Sequence, residues 1–429
     1  MTDRIQAVRG MNDLLPDEID IWQHVESVLR EIGWQYGYQE IRTPMLEKTA
    51  LFKQSIGDQT DIVEKEMYTF TDGGKESLSL RPEATASTVR ACIQHGIVHN
   101  QQQRIWYMGP MFRRERPQKG RYRQFHQFGI EAFGWAGPDI DTEVIRVGER
   151  IWKNLNVEGI TLQINTLGST KSRQAYRIAL QNFLKDHLGQ LDDDSVRRLE
   201  NNPLRILDSK IPETQEILVN APHILEYLEP SERSHFDGLC ESLEDSAIGY
   251  TINSKLVRGL DYYTGTVFEW NTEQLGAQSA VCAGGRYDSL VEHRGGKPTP
   301  AIGFAMGMER LIELVANQGN NENRQRNVIY LIDVTESANA SSGIIAEQLR
   351  DNGHRVISHC GGGKLKSQLK RADQSAAVIA LIMGQSECLA ECLAERQANV
   401  VQVKHLRDNI DQHEIPIDDL VAWCNANIL

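Results

Sequence analysis

Several short stretches of this chain carry the side chains needed to hold a nucleotide beside a small polar substrate. In FRRE (112–115), followed by Arg121 and Phe125, an arginine projecting from a strand could grip a phosphate through two parallel N–H donors. A phenylalanine one loop later could stack on a base. Taken alone, an arginine beside a glutamate is more often a cross-strand pair. In GFAMGMER (303–310), glycines and small residues ahead of a helix allow a ligand close to the backbone. The spacing is neither the dinucleotide nor the phosphate-loop pattern, and a lone copy reads as a glycine-rich helix start with a surface arginine. In LRPEATAS (80–87), Glu83 falls where a strand gives way to a helix. There it could receive an ammonium group or simply cap the helix. LVRGLDYYTGTVFE (256–269) sets Arg258 near Tyr262 and Tyr263, a cation and two phenols that suit a polar ring, or else an aromatic-rich core strand.

Other features point to chemistry less strongly. AGGRYDSLV (283–291) has two glycines for a tight turn and an Arg286–Asp288 pair with a structural look. GGGK (361–364), leading to Lys366, Lys370 and Arg371, could touch RNA phosphate or be a solvated helix face. His95 and His99 have helical spacing without the glutamate of HExxH, so zinc is not expected. Ser169 lacks the GxSxG elbow of serine hydrolases.

These residues need elements to position them. Residues 16–34 read as a helix, with Pro16 in its first turn and Ile19, Trp22, Val25, Leu29 and Ile32 as its apolar stripe. Residues 38–45 read as a strand stopped by Pro44. Residues 67–80 read as a hairpin turning at Gly73 and Gly74, and 85–95 as a helix. RIWYMGPMFRRE and RQFHQFGIEAFG read as an antiparallel pair joined by a basic loop: Arg113, Arg114, Arg116, Lys119, Arg121 and Arg123 against Glu115 alone. Such a loop suits a large ligand. Residues 170–248 read as a helical insertion, after which strand patterns return at 250–270 and 279–284. Residues 300–315 run from strand into helix. A polar linker is expected at 318–326, and beyond it alternating strands and helices mark a separate α/β domain.

Composition narrows the setting. At 429 residues more than one domain is expected. The chain is 40% hydrophobic and 24% charged, ordinary for a globular protein. No apolar run approaches a membrane span, and the N-terminus lacks an apolar signal core, so export is not expected. A net charge of −13 argues against indiscriminate nucleic-acid coating while leaving local basic patches free to bind RNA. The seven cysteines are odd in number and lack a CxxC pair, which predicts reduced thiols.

In this order, the segments together resemble the histidyl-tRNA synthetases, a family of class II aminoacyl-tRNA synthetases, in their bacterial form. The likeness runs from Arg9 to the end of the chain. YGYQEIRTP resembles class motif 1, FRRERPQKGRYRQFHQ motif 2 and GFAMGMER motif 3, which by themselves give only the class. LVRGLDYY and AGGRYD resemble the two histidine signatures and, with RPE and RQFHQFGIE, make the amino acid specific. The resemblance implies an α+β catalytic domain (1–325), built on a six-stranded antiparallel sheet flanked by helices and carrying the insertion. It also implies an α/β anticodon-binding domain (326–429) and a cytoplasmic homodimer with motif 1 at its interface.

It further implies an enzyme that uses ATP to convert L-histidine to the adenylate plus pyrophosphate and then transfers histidine to the 3′ end of its tRNA. By this resemblance Arg113 and Arg258 are the catalytic pair, on opposite sides of the α-phosphate. Arg121 and Arg310 hold the γ-phosphate, Glu115 takes the adenine amino group, and the ring lies between Phe125 and Arg310. Mg²⁺ accompanies the β- and γ-phosphates, with no metal held by protein side chains alone. Glu83 and Thr85 hold the α-ammonium, Gln127 lies near the carboxylate, and Glu131, Tyr262 and Tyr263, beside Arg258, read the imidazole. Arg116, Gln118 and Arg123 are candidates for the tRNA acceptor end. Ala84 departs from the glycine many relatives carry after RPE, and its methyl could tighten the site. Two rivals remain: a histidine-binding regulatory paralogue, which would lack the C-terminal domain and the ATP arginines, and a stand-alone ligase, which would not need the basic loop.

Overall fold

The structure is a computed structural model that describes residues 4–57, 60–276, 279–318, 328–334, 340–375, 377–384 and 400–428. The expected linker at 318–326, apart from Gln318, lies outside the described residues, as do Cys388 and Cys392. The chain forms two compact units, residues 1–321 and 322–429.

The first unit begins with helix α1 (Ile19–Gln35), then β1 (Gln39–Glu40), β2 (Leu46–Lys48), α2 (Thr49–Ile56), β3 (Thr69–Thr71), β4 (Ser77–Leu80) and α3 (Thr85–Gln94). The long pair β5 (Gln103–Phe112) and β6 (Gln124–Phe133) precedes α4 (Pro138–Asn154) and β7 (Ile160–Thr166). The insertion holds α5 (Thr170–Lys185), α6 (Asp193–Asn201), α7 (Pro212–Ile217) and α8 (Pro230–Asp245). The chain returns through β8 (Tyr250–Ile252), β9 (Thr266–Thr272), β10 (Ala280–Arg286), α9 (Leu290–His293), β11 (Ala301–Gly307) and α10 (Met308–Asn317).

Among the described residues the main sheet has eight strands, ordered β1-β5-β6-β11-β10-β9-β7-β8. The six from β5 to β7 pair antiparallel throughout. The expectation of a wholly antiparallel sheet is corrected at its rims, where β1 and β8 add in parallel to β5 and β7. Both additions are very short, which limits the open edge they present.

Helix α1 starts at Ile19 rather than at Pro16, because the Leu15 carbonyl accepts from the Glu18 and Ile19 N–H groups in a preceding turn. Its expected stripe is correct: Trp22, Val25, Leu29 and Ile32 are buried with Trp106 and Phe128 of the sheet and with Val144, Ile145, Ile151 and Trp152 of α4. Each such side chain stabilises the fold by about 1.5–3 kcal/mol relative to exposure. The strand expected at 38–45 shrinks to Gln39–Glu40. Pro44 has no N–H for a ladder, and the Thr43 carbonyl accepts instead from the Arg81 guanidinium at 3.0 Å. The expected 250–270 strand is likewise broken, leaving 253–265 outside any strand.

Strand alternation creates a working face. Phe128, Ile130, Phe268, Trp270, Ile302, Phe304 and Met306 point into the helix-covered core. Their neighbours Gln127, Glu131, Gly303, Ala305 and Gly307 line a cleft on the opposite face.

In the second unit β12 (Val328–Asp333), α11 (Ala340–Asp351), β13 (Arg355–Ser358), α12 (Leu365–Gln374), β14 (Ile379–Met383), β15 (Val400–His405), β16 (His413–Pro416) and α13 (Leu420–Asn427) build a sheet ordered β13-β12-β14-β15-β16. The pairs β13–β12–β14 are parallel and the rest antiparallel. Strand β16 and helix α13, too short to show a period, were not foreseen. Among the described residues no helix is long and apolar enough to cross a membrane.

Candidate active site

The cleft on the polar face has a volume of about 500 Å³. It is lined by twelve residues singled out in the sequence: Arg113, Glu115, Arg121, Phe125, Arg310, Glu83, Thr85, Gln127, Glu131, Arg258, Tyr262 and Tyr263. Arg116, Gln118 and Arg123 are not among its lining. They lie on the loop between β5 and β6, where Arg116 and Gln118 are exposed. Gln118 pairs with Arg121 through the backbone, and Arg123 Nε donates to the Glu115 carbonyl at 3.1 Å.

The cation side of the cleft comes from four separated segments. Arg113 leaves the end of β5 and donates from Nε to the Pro82 carbonyl at 2.9 Å, with its guanidinium 5.2 Å from the Phe125 ring centre. Arg121 closes back on Glu115 as an ion pair. Arg310, in the first turn of α10, donates to the carbonyls of Gly120 (3.2 Å) and Ala280 (2.5 Å). Arg258 is held by Glu269 of β9 at 2.5 Å and lies 5.8 Å from the Tyr263 ring centre.

All four arginines line the one cleft, close enough to repel one another. Burial lowers the pKa of Arg310, and Arg121 and Arg113 lower it further. Burial also lowers that of Arg113, with Arg258 adding to the effect against the attraction of Glu66, Glu83 and Tyr262. For Arg258, burial opposes the charge, but Tyr263 and Glu269 outweigh it and raise the pKa. Crowded, part-desolvated guanidiniums of this kind favour a polyanion.

Deeper in the cleft the chemistry changes sign. The Glu83 carboxylate accepts from the backbone N–H of Thr85 (2.6 Å) and Ala86 (3.0 Å), so it does cap α3 while lining the cleft. Burial raises its pKa. Glu131 is 1% exposed. It accepts from Thr85 Oγ1 at 2.7 Å and from the Tyr287 hydroxyl, and burial pushes its pKa to about 8 despite these donors. Tyr262 stacks at a tilt on Tyr263, with ring centres 4.7 Å apart. Gln127 Oε1 is buried with no hydrogen-bond partner among the described residues, an acceptor open to a ligand.

Sequence reasoning missed Tyr287 and Glu269 as contributors, and gave Gly303 only as a small residue that lets a ligand near the backbone. Tyr287 stands inside AGGRYD beside the Arg286–Asp288 pair, and nothing in that spacing marks its hydroxyl as a ligand group. Arg286 proves structural, buried against Asp141 at 2.6 Å with the Trp135 and Gly137 carbonyls. Gly303 pairs with Glu131 across β11 and β6, and a side chain on it would collide with the Glu131 carboxylate. Ala84 adopts φ −113°, so no glycine is needed there; its methyl packs with Tyr107 and Met111. Among the described residues no group of three or more His, Cys, Asp or Glu side chains could hold a metal ion.

A mainly antiparallel sheet whose open face gathers arginines from a strand end, a basic loop and a helix start is the catalytic architecture of a class II aminoacyl-tRNA synthetase. Residues 10–311 match the histidyl-tRNA synthetase family model, and 327–427 match the anticodon binding domain model. The chain belongs to the histidyl-tRNA synthetase family. It is similar to apo histidyl-tRNA synthetase from S. aureus, with 32% identity over 98% of this chain and 99% of that one and a TM-score of 0.80. Histidyl-tRNA synthetase from a Nostoc species, 19% identical over 99% and 100% with TM-score 0.70, shares the fold. So does a Bacillus halodurans protein described as an ATP phosphoribosyltransferase regulatory subunit/histidyl-tRNA synthetase, 22% identical over 85% and 96% with TM-score 0.61. The enzyme is an ATP-dependent histidine–tRNA ligase that binds histidine, ATP and tRNA.

Proposed function

We propose that the histidine carboxylate attacks the α-phosphorus of ATP in the cleft between Arg113 and Arg258, which neutralise the charge growing there. Positioning and preorganised charge carry such a displacement. Arg121 and Arg310 take the γ-phosphate. Glu115 accepts from the adenine amino group, and the ring lies between Phe125 and Arg310. Arg121 must leave Glu115 for this, so one exchange supplies both a phosphate ligand and an adenine acceptor. Glu83 and Thr85 receive the α-ammonium and Gln127 lies by the carboxylate. Glu131, Tyr262 and Tyr263 read the imidazole beside Arg258. A buried polar lining of this kind rejects analogues without the ring nitrogens, because its own groups would be left unpaired.

The donor set suits Mg²⁺ only as a companion of the nucleotide: the phosphate side is cationic, and the carboxylates of Glu115 and Glu269 are already paired with arginines and that of Glu309 with His126. Bound to the β- and γ-phosphates, the ion would supply charge neutralisation on the leaving group. Arg116, Gln118 and Arg123 belong to the acceptor end of the tRNA, which the exposed loop between β5 and β6 can reach. Catalysis is assigned to 1–325 and anticodon reading to 326–429. We also place the enzyme in the cytoplasm as a homodimer. The first is supported by the free thiols at Cys92, Cys240, Cys282, Cys360 and Cys424. The second is supported by the exposed Met45, Leu46 and Phe70 following motif 1.

The observation that carries this reading is the convergence of Arg113, Arg258 and Arg310 on one cleft that ends in Glu131. Replacing Arg258 by alanine should slow histidine-dependent pyrophosphate exchange by roughly a hundred- to a thousandfold, with tRNA affinity nearly unchanged. Exchange at the wild-type rate would refute the role.

A further inference from the structure

We propose that Arg173 and Arg205, both supplied by the helical insertion, are positioning residues for histidine activation. The proposal rests on the site reading above, because what they position is Arg258 and Tyr263. Both of those residues lie in the 253–265 segment between β8 and β9, outside any strand, so no sheet ladder fixes them. Bonds from other elements tie its two ends, with Asn165 donating to the Leu256 carbonyl at 3.0 Å, the Thr264 N–H to the Arg286 carbonyl at 2.7 Å and the Leu167 N–H to the Gly265 carbonyl at 2.7 Å, and between them the Asp261 N–H donates to the Ile56 carbonyl at 3.0 Å.

The insertion adds holds at the residues between those ends. Arg205, on a 3₁₀ turn (Pro203–Ile206), donates to the Gly259 carbonyl at 3.1 Å. Arg173, on α5, donates to the Tyr263 carbonyl at 2.7 Å. Lys255, just upstream, donates to Gln215 Oε1 of α7 at 2.8 Å. Asp261, between the two gripped carbonyls, is attracted by both guanidiniums. One clamp therefore acts on the residue after Arg258 and the other on Tyr263 itself. Each guanidinium places one charge-assisted hydrogen bond on its carbonyl. A small displacement of either carbonyl would carry Arg258 or the Tyr263 ring away from the reacting groups, where misplacement is costly. The insertion thus shapes the amino-acid site before any tRNA arrives.

Arg177 offers a matched control. It lies on the same helix and also donates to carbonyls, those of Glu200 (2.8 Å) and Asn201 (3.1 Å), but both acceptors lie within the insertion. The test is pyrophosphate exchange by the full-length enzyme without tRNA, for R173A, R205A, R173K, R205K, R177A and R258A, each with a thermal melt. R173A and R205A should each lower kcat/KM for histidine about tenfold or more, the scale of losing a charge-assisted hydrogen bond. The KM for ATP should stay within about twofold, R173K should recover part of the loss, and R177A should behave as wild type. Wild-type histidine kinetics in R173A and R205A, with R258A inactive, would overturn the positioning role alone. Losses in R177A equal to those in R173A would overturn it too, by showing general destabilisation. Normal exchange by R258A would instead bring down the site reading beneath it. Should the alanine variants not fold, R173K and R205K decide: reduced kcat/KM for histidine at an unchanged melting temperature supports the role, and wild-type values reject it.

Discussion

Glu131 is the residue at which binding and stability pull against each other. Burial raises its pKa to about 8 from an ordinary value of 4.5. An acid whose folded pKa is raised holds its proton more tightly in the native state than in the unfolded chain. Its contribution to stability is therefore full below pH 4.5 and is lost as pH rises toward about 8. Glu131→Gln removes that titration. In the ligand-free enzyme, the melting temperature of the variant relative to wild type should rise between pH 5 and pH 9, while histidine activation falls roughly tenfold or more. Parallel pH slopes for the two proteins would argue against a buried titrating carboxyl. The arginines and tyrosines that line the cleft were legible as residue types in motifs. Tyr287 was not, because nothing in AGGRYD says that its hydroxyl reaches a carboxylate 156 residues away in the chain.

At the scale of elements, periodicity identified the long pieces and failed on short or broken ones. The stripe of α1 and the β5–β6 pair were evident because each repeats its period over ten or more residues. The strand expected at 38–45 failed because an arginine side chain competes for its backbone. The tyrosines at 262 and 263 looked equally like a core strand and are in fact on a loop, held there by tertiary bonds. Sheet register also explains the cleft floor. Gly303 lies opposite both Glu131 and Gly285, and a Cβ there would meet the Glu131 carboxylate and the Ile130 carbonyl. Since backbone cannot step aside cheaply, Gly303→Ala should cost about 1–3 kcal/mol of stability and sharply weaken histidine binding. Chemical denaturation and equilibrium dialysis measure the two effects, and wild-type affinity for histidine would contradict this view of the floor.

At the scale of the whole molecule, the two units have separate apolar cores, one around Leu29, Phe128 and Trp270 and another around Ile329, Leu381 and Val403. Removing 326–429 should therefore leave pyrophosphate exchange largely intact while tRNA charging falls much further. The exposed Met45, Leu46 and Phe70 belong to the first unit, so the truncated chain should still sediment as a dimer. Equal losses in the two assays, or a monomer, would contradict the assignments of anticodon reading and of the dimer face, respectively.

What this sequence determined by itself is the inventory: local order, helix stripes, turn residues and the side chains of each motif, because these depend on neighbours within a few positions. Only the tertiary structure decided which of those side chains share a space. The His126 backbone N–H donates to the Glu309 carboxylate from 183 residues away, and Arg113, Arg258 and Arg310 meet across five strands of one sheet, β5 to β9. That meeting depends on strand order and register, which arise from the packing of the apolar face as a whole and leave no mark at any single position.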